Sequence, residues 1–70
     1  MLDKNNNYVE WTMLMYELGE AKEHLQKLID EEIKQKDFDE TEFRIAIAHI
    51  YSHLNRAWNM RNQTEELTLQ

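Results

Sequence analysis

The sequence predicts an all-α fold: an antiparallel two-helix hairpin, over about 8–36 and 39–63, that dimerises into a four-helix bundle. Three observations predict it. Apolar residues recur at helical spacing in two long stretches. One strong helix-start signal separates those stretches. The chain holds no Pro and one Gly, too little turn chemistry for a many-stranded β fold. Cys is absent as well, which removes disulfide scaffolds, iron–sulfur and Cys-ligated zinc modules, and thiol nucleophiles.

The first helix follows a polar, Asn-rich arm at 1–6 that is expected to fray. Asn7 stands where a cap is needed, with Glu10 three residues on as its capping-box partner. From there to about Lys36 only Gly19 interrupts a helical sequence, at roughly 1 kcal/mol relative to Ala. At about 100° per residue, Trp11, Leu14, Met15, Leu18, Ala21, Leu25, Leu28, Ile29 and Ile33 share an arc of about 140°. Within it Trp11, Leu14, Leu18, Ala21, Leu25 and Leu28 alternate spacings of three and four residues, the seam of helices that pack nearly parallel or antiparallel.

The second helix starts at Asp39, an N-cap with Glu42 as its reciprocal partner, and Phe38 and Phe43 occupy the hydrophobic-staple positions. Its apolar arc holds Phe43, Ala46, Ile47, Ile50, Tyr51, Leu54, Ala57 and Trp58, with His49, Ser52, His53, Asn55, Arg56 and Asn59 opposite. Residues 64–70 form a polar tail expected to fray, so 1–70 is a single helical-hairpin domain. Helices of roughly 28 and 24 residues joined by about three must run antiparallel. Residue numbers that face each other then sum to about 72–76, placing Leu18 near Leu54, Leu25 near Ile50, Ile33 near Phe43 and Trp11 near Arg61. Leu18 and Leu54 are thereby expected in the core.

Two helices cover only part of each apolar stripe, and a hairpin without disulfide or metal is a thin core. A second copy is the simplest cover, hence the expected homodimer. Residues 8–18 add to the surplus, being apolar nearly all round: Tyr8, Val9, Trp11, Met13, Leu14, Met15, Tyr16 and Leu18; their second face is expected first as dimer core, and otherwise as a groove for a different protein or an apolar small molecule. The open end gathers aromatic, Met and Arg residues, a composition typical of interface hot spots. Val9, Met13, Tyr16, Trp58, Met60 and Arg61 are therefore the expected partner-binding residues. The function expected is that of a non-enzymatic interaction or regulatory protein that binds itself and another protein, with no cofactor and no metal.

Charge and hydropathy narrow the partners further. The formal net charge is −6, which disfavours a general phosphate-tracking surface for nucleic acid. No apolar run approaches the ~18–20 residues of a membrane span, and MLDKNNNY lacks the order of a signal peptide. A cytoplasmic protein without membrane contact is expected.

Three constellations bear on chemistry. Arg44-Ile-Ala-Ile-Ala-His49-Ile-Tyr51 resembles the Arg-x4-His-x-Tyr motif of HEPN-type ribonucleases. That resemblance implies RNA cleavage by Arg44 and His49, with Tyr51 beside them, and His49 as acid or base. It is the alternative function. On one straight helix Arg44 and His49 point about 140° apart, so they converge only across a dimer. Glu17-Leu-Gly-Glu20 resembles part of the acidic helix motif of MazG-like nucleotide pyrophosphohydrolases. That resemblance implies magnesium held by carboxylates from two helices. His49 and His53, at i and i+4, have the spacing of a shared metal. His24 is expected to face water, which leaves the pair without further ligands inside one hairpin.

Overall fold

The structure, a computed structural model, describes residues 1–63. Two helices dominate it: α1 (Tyr8–Asp30) and α2 (Glu40–Met60), joined through a short 3-10 turn at Glu32–Lys34. They form the antiparallel hairpin, a single layer measuring 49 × 22 × 13 Å. Neither helix is long and apolar enough to cross a membrane. The expected tail at 64–70 lies outside the described residues.

α2 begins as its sequence demands. The Asp39 side chain accepts from the Glu42 N–H at 2.9 Å, and the rings of Phe38 and Phe43 meet edge-on with centroids 6.2 Å apart. α1 ends earlier than expected. It stops at Asp30 rather than Lys36, and the connection takes nine residues, 31–39, instead of about three. Asp30, Glu31 and Glu32 explain the stop. Three successive acids at a helix C-terminus meet the negative end of the helix dipole and are unfavourable there. At the other end Asn7 is the capping residue, yet its side chain makes no capping bond.

The amino-terminal arm, expected to fray, is instead folded back. Asp3 accepts from the Asn5 N–H through Oδ1, from the Asn6 amide through Oδ2, and from the Asn7 N–H through its carbonyl. This local turn carries Leu2 across the open end of the hairpin. There its N–H donates to the Arg61 carbonyl at 2.7 Å, and its side chain is 6% exposed against Leu14 and Ala57.

The core runs as two small clusters along one seam. Leu2, Leu14 and Ala57 pack with Trp11, Met15 and Met60. Ala21, Leu28 and Ile50 pack with Phe38 and Ala46. The expected register holds: His24 meets His49 and Glu17 meets Arg56, each pair of numbers summing to 73. The expected core face does not hold entirely. Leu14, Ala21 and Leu28 are buried, but Leu18 and Leu25 remain 40% and 44% exposed and Leu54 45% exposed. The pairing uses one flank of each apolar arc and leaves the other open.

Gly19 faces away from α2, and an added Cβ there would meet nothing within 4 Å. It marks neither a close helix crossing nor a left-handed backbone. Gly19→Ala is therefore expected to stabilise the fold by roughly 1 kcal/mol, read as a higher urea midpoint. Leu14→Ala, by contrast, opens the seam and is expected to cost about 2–5 kcal/mol in the same titration.

Candidate functional site

The seam divides the hairpin into two unlike faces. Because α1 and α2 run antiparallel, residues turned the same way from the seam along each chain emerge on the same side. Leu18, Leu25 and Ile29 on α1, and Phe43, Ile47, Tyr51, Leu54 and Trp58 on α2, lie roughly a quarter turn to one side. All eight are exposed, with Tyr51 and Trp58 the most open at 66% and 63%. That side is rich in exposed apolar side chains, with Lys22 among them on α1. The Arg61 guanidinium stacks 3.6 Å from the Trp58 ring centroid, at the open end of this face.

Turned the other way are Glu17, Glu20 and His24 of α1 and His49, His53 and Arg56 of α2, at matching spacings of about one and two turns. His53, expected among the solvent-facing residues, is 8% exposed. Its Nδ1 lies 2.6 Å from Glu17 Oε1, while Arg56 Nε donates to Glu17 Oε2 at 3.1 Å. Arg56 Nη2 also lies 2.9 Å from His53 Nδ1. Both contacts to Nδ1 cannot be hydrogen bonds at once. With Glu17 ionised, Nδ1 carries the proton and donates to the carboxylate, so the guanidinium is a neighbour of the ring rather than its donor. The hydrogen bond from His53, followed by the bond and charge of Arg56, holds the Glu17 carboxyl below the usual carboxylate range against a desolvation that pushes it up.

His24, expected to face water, reaches across to α2. Its Nε2 lies 3.1 Å from His49 Nε2 and 3.6 Å from Glu20 Oε2. The His24 ring stands edge-on to His49 at 4.3 Å and is stacked with His53 at 5.4 Å between centroids. One ring nitrogen from each of the three histidines lies within 4.8 Å of the others. An open groove of about 240 Å³ leads from this cluster toward the turn, between His24, His49, Glu32, Glu42 and Phe38.

The remaining expected site residues separate. Arg44 and Tyr51 line a shallow depression with Phe43, Ile47, Ala48 and Ser52 on the apolar side. His49 belongs to the histidine cluster on the other side. One hairpin thus does not bring Arg44, His49 and Tyr51 together. Glu17 and Glu20, the pair resembling a magnesium motif, face His53, Arg56 and His24 rather than carboxylates of α2.

Val9, Met13 and Tyr16 are exposed along the outer edge of α1, and Met13 comes beside Met60 in a small groove with Glu10 and Gln63. Trp58 is on the apolar face, so the expected partner-binding set is split between two sides. The Glu20 carboxylate near the Tyr16 phenol raises it above its ordinary value. His24, like His53, is a site residue that the sequence pattern set toward solvent and the structure sets in the cluster. Its signal was available, since a register sum near 73 sets it opposite His49.

The Glu17 pairing predicts a pH dependence. A depressed carboxyl contributes stability fully above the unfolded value of about 4.3, and that contribution is lost as pH falls through the lower folded value. Urea midpoints of the wild type and Glu17→Gln are expected to differ at about pH 7 and to converge at about pH 2.5. Comparison of the chain with known proteins finds no matching family model, no similar curated protein and no similar solved structure.

Proposed function

We propose that this chain works as a homodimeric four-helix bundle, a non-enzymatic interaction protein whose apolar face is covered by a second copy. One observation carries the reading: eight large apolar side chains, from Leu18 to Trp58, stay exposed on one side of a layer 13 Å thick. Their uncovered area is on the order of 800 Å² per chain, the size of one side of a standard protein interface. Among the described residues a single helix layer has nothing else to bury that face against, and two-fold pairing of identical faces completes a bundle.

Charge supports one orientation. The turn end carries Asp30, Glu31, Glu32, Asp37, Asp39, Glu40 and Glu42 against Lys34 and Lys36, whereas Lys4, Arg56 and Arg61 lie toward the open end. Pairing the hairpins with turns at opposite ends separates the two acidic tips and sets each near the less acidic open end of the other copy, where Asp3 and Glu10 accompany the cations. The strip of Val9, Met13 and Tyr16 lies away from the pairing face and supports a role in contacting a different protein.

Light scattering and sedimentation test the assembly. The wild type is expected to have twice the chain mass at micromolar concentration. Leu54→Glu places a charge in the paired face, outside the seam, and is expected to give monomers that keep the hairpin, while Tyr16→Glu, on the outer edge, leaves the dimer intact. A wild-type monomer with a cooperative, reversible melt would overturn the proposal.

A further inference from the structure

We propose that His24, His49 and His53 form a transition-metal site of the zinc class, with Glu20 as fourth ligand and Glu17 as the residue that orients His53. The donors come from both helices, so the ion would tie α1 to α2 near the middle of the hairpin. It lies on the face opposite the apolar one and does not depend on the pairing proposed above.

The chemistry of the donor set carries the assignment. Three imidazoles and a carboxylate suit a four-coordinate zinc ion, with nitrogens about 2.0–2.1 Å from the metal and therefore roughly 3.3 Å from one another. His24 Nε2 and His49 Nε2 are already 3.1 Å apart. One nitrogen of each ring lies within 4.8 Å of the others, so a shift of the His24–His49 pair by about 1.5 Å toward His53 completes the triangle. His24 and His49 are partly or largely exposed and are free to make that adjustment. Glu20 Oε2 stands 3.6 Å from His24 Nε2, beside the three-nitrogen cluster rather than within it, and is the carboxylate the site would draw in as fourth ligand.

The surroundings favour the same use. Glu17 accepts the Nδ1 proton of the buried His53 ring, which fixes the tautomer and leaves Nε2 with its lone pair. A carboxylate behind a ligand histidine is the usual outer partner of such sites. Arg56 is the opposing charge, and its guanidinium is held by the other Glu17 oxygen. Glu32 and Glu42 line the groove that opens onto His24 and His49, giving a cation an acidic approach from the turn. Oxygen-preferring magnesium and calcium do not match three nitrogens.

Titration of the tag-free, full-length chain with Co²⁺ and Zn²⁺ tests the site. One Co²⁺ per chain is expected to bind with the intense visible absorption of four-coordinate geometry, and Zn²⁺ to displace it. His24→Gln and His49→Gln, both away from the buried seam and checked for native helicity by circular dichroism, are expected to weaken binding by at least about 100-fold. Glu17→Gln is expected to weaken it by about 10–100-fold. Zn²⁺ should raise the melting temperature of the wild type and not of His49→Gln. The same stoichiometry is expected in Leu54→Glu, which separates this outcome from that of the dimer. Unchanged affinity in both histidine variants, one ion per two chains, or binding lost on monomerisation would each overturn the proposal.

Discussion

The narrow seam between α1 and α2 is the constraint on which the molecule depends. Leu14, Ala21 and Leu28 recur every seven residues along α1 and meet Ile50 and Ala57 of α2. Alanines at 21, 46 and 57 let the backbones approach, but they supply little apolar area. The seam is closed at one end by the Phe38–Phe43 pair and at the other by Leu2 on its folded-back arm. These two end pieces matter because the middle is thin and flanked by His53, a polar group that must keep its partner. Burial of that ring is tolerable because its Nδ1–H donates to the Glu17 carboxylate and Arg56 in turn pairs with Glu17.

From that seam the two faces follow. A helix can offer only part of its circumference to one neighbour, so each apolar arc of about 140° is half used. The unused half collects on one side because the chains are antiparallel and rotate in matched senses. The polar flank collects on the other side for the same reason, and there it brings Glu17, Glu20 and His24 against His49, His53 and Arg56. The hairpin thus separates a surface suited to apolar association from one suited to cation chemistry. Neither face requires the other, which allows pairing of chains and ligation of an ion to be considered as independent properties.

The turn shows how local electrostatics set the dimensions of the fold. α1 has the apolar periodicity to continue toward Lys36, with Ile33 in phase. The acids at 30–32 stop it at Asp30, a turn and a half earlier. The nine residues of the connection then allow Phe38 to fold onto Ala21, Leu28 and Ile50. Periodicity alone cannot weigh that repulsion, because Glu and Asp count simply as polar residues in a hydrophobic pattern.

By itself the sequence determined two helices, the start of the second at Asp39, and their antiparallel pairing, since these rest on interactions within a few residues or on a connection short enough to return the chain alongside itself. It also determined which residues share a stripe. Only the tertiary structure decided which flank of each stripe meets the other helix, and so why Leu14 is buried while Leu18 and Leu54 are not. It decided as well that His24 joins His49 and His53, and that Leu2 closes the open end. The physical reason is rotational: spacing along a helix orders its side chains around the axis, but the direction of the neighbouring helix is set by close packing between the two, which no one-dimensional pattern contains.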